Sequence, residues 1–120
     1  MSYAERHTVA ITTSTGGLAT GHTPVVTGRI SAIIYTRPTG TPFASTADVT
    51  VTTEDSGQSI WAELNVNASE TNYPLVAGNL QSGAASTLTE VPLYAANERV
   101  KIAIAQGGNA KAGTFIVVIA

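Results

Sequence analysis

Strict period-two alternation constrains this chain more than any other feature. Across residues 99–104, Val100, Ile102 and Ile104 alternate with Arg99, Lys101 and Ala103. Successive side chains of a strand point to opposite faces, so the pattern predicts a strand with one buried face. Residues 6–13 repeat it, with His7, Val9 and Ile11 set against Thr8, Ala10 and Thr12, and residues 114–119 form a β-branched run. No helix-length window carries a convincing helical period, so the expectation is an all-β fold.

The remaining segments extend that reading. Residues 25–36 make the longest strand candidate, with Val26, Ile30, Ala32 and Ile34 on one face and Val25, Ile33 and Tyr35 on the other. A strand apolar on both sides belongs in the centre of a sheet that is covered twice. Residues 48–53 (Val49 and Val51 inward) and 58–66 read as a hairpin around the Glu54-Asp55-Ser56-Gly57 turn. In its second strand Ile60, Ala62, Leu64 and Val66 point inward, while Trp61, Glu63 and Asn65 point outward. Residues 73–77 are a weaker strand that Pro74 pushes to an edge, and residues 91–93 a short edge strand. Residues 14–24, 37–46 and 78–90 read as loops, and the Gly-rich stretch 106–113 as a hairpin loop. The spacing predicts a single β-sandwich domain over residues 1–120, jelly-roll-like, with about seven to eight strands.

Composition narrows the function classes. Asp, Glu, Lys and Arg make up 12% of 120 residues, about half the share of an ordinary soluble domain. Charge keeps free monomers apart, so a chain this neutral is expected to cover its surface with partners. A net charge of −2 and six scattered cationic residues predict no nucleic-acid binding. The absence of cysteine removes disulfides and thiolate metal sites. The first seven residues lack the basic start and apolar run of a signal peptide, and the longest apolar runs are too short to span a bilayer. The expectation is assembly in the cytoplasm, with no membrane partner.

No chemistry-bearing constellation emerges. His7 and His22 have no Glu or His at ligand spacing, and no G-x-S-x-G elbow surrounds the serines near Gly83. Glu54 and Asp55 share a turn, but a hard cation takes more oxygens than they supply. Gln106 to Gly113 lacks the order of a phosphate loop and leads into a strand. No catalytic, cofactor-binding or metal residue is expected, and an enzyme is the least favoured reading. Trp61, on the outward face of its strand, is instead the candidate anchor for a partner subunit. Tyr35, Arg37, Pro38, Arg99, Lys101 and Gly107 complete the expected interface.

The segment order resembles small structural proteins of tailed bacteriophage and prophage virions. The likeness is carried by Tyr3-Ala4-Glu5-Arg6-His7-Thr8-Val9 and by Thr23-Pro24-Val25-Val26-Thr27-Gly28-Arg29-Ile30. The run from Asn97 to Gly108 and then Lys111 to Phe115 carries it further, with residues 37–47 and 78–89 least typical. The resemblance implies a non-enzymatic capsid cement or decoration protein. Such a protein would be a homo-oligomer, a trimer being the favoured count, bound to the major capsid protein and located in the virion. A neck, tail or baseplate adaptor, and a carbohydrate- or receptor-binding module using Trp61 with Tyr35 or Tyr73, stand as alternatives.

Overall fold

The computed structural model describes residues 4–120. It is all-β, with ten strands and no helix among the described residues: β1 (Glu5–Thr12), β2 (Ala19–His22), β3 (Val26–Thr36), β4 (Asp48–Thr53), β5 (Ser59–Glu63), β6 (Glu70–Asn72), β7 (Leu75–Asn79), β8 (Ala85–Glu98), β9 (Val100–Ala105) and β10 (Ala112–Ile119). They form two antiparallel sheets. The first runs β1-β10-β3-β8-β7, with β6 paired to the far half of β3, and the second runs β2-β9-β4-β5.

Inward side chains of both sheets make one buried cluster. Val9, Ile30, Ile33, Tyr35, Phe115 and Val117 enter it from the first sheet, and Val49, Val51, Trp61, Val100, Ile102 and Ile104 from the second. At its centre the Tyr35 ring stacks on Phe115 at 4.9 Å and on Phe43 at 6.1 Å, while Trp61 meets Phe115 edge-on at 6.3 Å. Gly113 makes room for this group, because a Cβ there would lie 2.5 Å from the Phe43 ring and 2.9 Å from that of Tyr35. One flank of the molecule is closed where β2 crosses over β1. A Cβ on Gly21 would lie 2.6 Å from Val9, so only glycine permits that approach.

Several expected strands form as read. β4 and β9 carry the predicted inward residues, β1 buries Val9 and Ile11 but leaves His7 half-buried, and β4 and β5 pair as a hairpin. Bulges account for the largest departures, since one extra residue exchanges the two faces beyond it. In β3, Ile30 pairs with Ile119 but Ala32 pairs with Val118, leaving Ser31 without an opposite number. Ile33 and Tyr35 therefore share Ile30's face and join it in the central cluster. Ala32 and Ile34, which the plain alternation put with Ile30, lie on the other face, Ala32 buried and Ile34 half-buried. In β5, Val51 opposes Trp61 while Thr52 opposes Ser59, so Ile60 is the extra residue. Trp61 turns inward and is 5% exposed, whereas Leu64, expected inside, is 72% exposed.

Three expected loops also differ. Residues 14–24 contain β2, whose Ala-Thr-Gly-His sequence has no apolar alternation and which pairs with β9 through its backbone. Residues 78–90 are not irregular: most belong to β7 and to the 14-residue β8, which absorbs the short strand expected at 91–93. Residues 106–113 do not close a hairpin, because β9 and β10 lie in different sheets and the segment crosses between them.

Candidate functional site

The expected interface residues divide by burial. Tyr35 and Trp61 are enclosed by the chain's own atoms at 1% and 5% exposure, so neither can anchor a partner or stack on a sugar. Gly107 is buried as well. Its N–H donates to the Gly17 carbonyl, its own carbonyl accepts from Ala44, and a Cβ would lie 2.9 Å from Thr13. Arg37 is held by the 67–69 segment, donating its side chain to the Asn67 carbonyl and its backbone N–H to Ser69 Oγ. Arg99 is bound to Glu54, with Nε donating to Oε1 at 2.8 Å. Pro38 is half-buried, and Lys101 is exposed on β9.

Two carboxylate arrangements organise the turns. Arg99 donates hydrogen bonds to Glu54, and that bonding holds the Glu54 carboxyl below its ordinary value. His22 Nε2 stands 3.0 Å from the same carboxylate, which ties β2 to the β4–β5 turn. Glu98, only 4% exposed, accepts from the backbone N–H groups of Ser56 at 2.9 Å and Asp55 at 3.0 Å, and from Ser56 Oγ. These bonds, led by the Ser56 N–H, depress its pKa. Elsewhere, Glu63 accepts from Trp61 Nε1 at 3.2 Å. Burial and its contact with Glu63 push Glu70 up to about 7. Among the described residues no group of three or more His, Cys, Asp or Glu side chains is arranged to hold a metal ion.

The surface that stands out is an arm. β7 and the first half of β8 pair with each other, whereas only the second half of β8, from Leu93 to Glu98, pairs with β3. The hairpin thus extends beyond the shared core. Among the described residues, seven of the ten exposed large hydrophobic side chains belong to residues 73–94: Tyr73, Leu75, Val76, Leu80, Leu88, Val91 and Tyr94. Paired residues of a ladder share a face, so Leu75 and Pro92 lie on one side of the arm and Val76 and Val91 on the other. Near the tip, four residues of β8 (86–89) oppose the single residue Gly78 of β7, and this bulge throws out Leu88, 94% exposed.

Facing the arm across a cleft of about 630 Å³ is β5, the outermost strand of the second sheet. Gln58 and Ser59 line one wall, and Val76, Leu80, Val91 and Leu93 the other. Gln58 also spans the gap, its side-chain amide donating to the Tyr94 carbonyl at 3.1 Å. The flank opposite the β1–β2 crossover therefore stays open. Sequence reasoning missed this site because Gly78, Gly83 and the serines around them read as a loop. The available signal was the charge pattern, since Glu90 is the sole charged residue between Thr71 and Asn97.

No family model matches the chain, and no curated protein matches it. Among solved structures, it superposes on the crystal structure of FLHE with a TM-score of 0.47 and 12% identity, over 98% of each chain. A likeness that low carries no functional argument.

Proposed function

We propose that this chain is a non-enzymatic structural protein of a tailed-phage virion, a cement or decoration protein that binds the head as a homo-oligomer. The observation that carries the reading is the projecting arm, apolar on both faces. An isolated two-stranded hairpin is marginal in water, and a greasy one is stable only when something covers it. A docking function supplies that cover, and the resemblance of the 3–9, 23–30 and 97–115 segments supplies the virion context.

We further propose that the fold is a jelly-roll β-sandwich. Strand order supports this. With β6 and β7 set aside as additions, the first sheet is β1-β10-β3-β8 and the second β2-β9-β4-β5. The chain changes sheet at every connection except the β4–β5 hairpin, which is the double Greek-key pattern of jelly rolls. Small modules on that scaffold stabilise a shell by bridging its subunits, because each added contact must break before the shell opens. Symmetry repeats one modest interface many times.

The test mixes the purified chain with heads of the encoding phage that lack it. Stoichiometric binding is expected, with loss of binding when Leu75, Leu88 and Tyr94 are together replaced by Ser. Heads that bind none of the wild-type chain would overturn the reading.

A further inference from the structure

We infer that the cleft between β5 and the arm is the seat for the arm tip of a second copy of this chain. The inference rests on the arm being the docking element and names what that element meets. Three observations favour a copy over another occupant.

The first is charge. From Thr71 to Asn97 only Glu90 is charged, and no charged residue lines the cleft. Neither surface can select a nucleic acid, an anionic membrane or a charged peptide. Two copies, by contrast, meet there with almost no like-charge repulsion to overcome.

The second is area. With side-chain surfaces on the order of 200 Å², the arm's five exposed large hydrophobics, Leu75, Val76, Leu80, Leu88 and Val91, present roughly 550 Å². That is at the upper end of the largest apolar patch of a typical monomer, about 300–600 Å², and more than half of the roughly 800 Å² that one partner contributes to a stable interface.

The third is geometry. The arm's Val76 and Val91 already wall the chain's own cleft, so the arm cannot also fill it. Leu75 and Tyr94, and Leu88 on its bulge, are left without cover. A neighbouring cleft offers an apolar wall for Leu88 and a free strand edge, since β5 pairs only with β4. At its Ser59 end β5 carries no charge to guard that edge against strand addition, whereas Ile60 to Ala62 face the chain's own residues 72–75 across a second cleft. The arm tip at Leu88 and the cleft, which the base of the arm walls, are different surfaces, so the contact passes from one copy to the next and closes as a reciprocal pair or as a ring.

Sedimentation equilibrium from micromolar to near-millimolar concentration tests this with three chains: wild type, Leu88→Lys (arm blocked) and Ser59→Lys (cleft blocked). Both substituted residues are exposed, so each variant should keep the near-ultraviolet signature of Trp61 and the thermal midpoint. Wild type is expected at two or three chain masses and each variant alone at one. A mixture of the two variants is expected to regain a one-to-one complex, because one intact arm then meets one intact cleft. A wild-type chain that stays monomeric overturns the inference. So does a Ser59→Lys chain that assembles normally, or a mixture that stays monomeric. Head binding separates the two readings. A monomeric chain that still decorates heads loses only this inference, and an arm-linked oligomer that ignores heads loses only the virion role.

Discussion

Glu98 and Glu70 are buried or half-buried carboxyls that respond to pH in opposite senses. Glu98 is held below its ordinary value of 4.5 by the hydrogen bonds it accepts, so its contribution is fully present above that value. It is lost as pH falls through the lowered folded value. Replacing Glu98 with Ala leaves the Asp55 and Ser56 N–H groups without their acceptor and is expected to cost about 2 kcal/mol. Glu98→Gln keeps an acceptor, costs less and flattens the acid limb; urea unfolding from neutral pH down to below 4.5 measures both. Glu70 works the other way, because its folded value is raised to about 7 from 4.5. The folded state then holds a proton that the unfolded chain has released, so stability falls as pH rises between those values and levels off above. Glu70→Gln should remove that decline and raise the thermal midpoint at alkaline pH, with little change near pH 4.5. A wild-type midpoint that does not fall across that interval would refute the assignment. Neither role was legible in the sequence, where Glu70 and Glu98 are isolated acids and their partners lie 7 and more than 40 positions away.

The elements divide into a packed set and a projecting one. β3, β9 and β10 are central strands rich in β-branched residues, and the alternation of β9 could be read directly because no bulge interrupts its pairing with β2 or β4. Bulges defeated the reading wherever they fell: Ser31 in β3 and Ile60 in β5 each reversed the faces beyond them, which is how an outward tryptophan became a core residue. A bulge leaves no mark on composition, only on the pairing of two strands. The arm contrasts with the central strands in stability. Its strands have one ladder between them and little core beneath, so their amides should open locally at low cost. In the monomeric Leu88→Lys chain, hydrogen exchange at residues 75–79 and 85–92 should be fast while β10 stays protected. Assembly of the wild-type chain should slow the arm alone. Arm protection that matched β10 in the monomer would show the hairpin to be self-sufficient.

At the scale of the whole molecule, the arm explains an elongated shape. The Cα radius of gyration is 15.0 Å and the longest extent 47 Å, whereas a compact domain of this length has a radius of about 13.6 Å. The shortage of charge is shared between two places. One is the buried cluster, where any sequence of this class must be apolar. The other is the 71–97 segment, where Leu93 and Ala95 pack in the core but the arm's apolar residues stay exposed. On the proposed reading the low charge serves association through the arm, and not through Tyr35 and Trp61. Tyr35 and Trp61 owe their positions to the chain's own core.

The class of fold followed from the sequence alone, because period-two alternation and the lack of a helical period are local properties that neighbouring residues set together. So did the central strands, the β4–β5 turn and the lack of a basic field. Which face of β5 turns inward, whether residues 78–90 pair, and which flank of the two sheets stays open were decided only in three dimensions. Each depends on a bulge or a partner strand far away in the chain, and hydrogen bonds between backbones carry no side-chain signature.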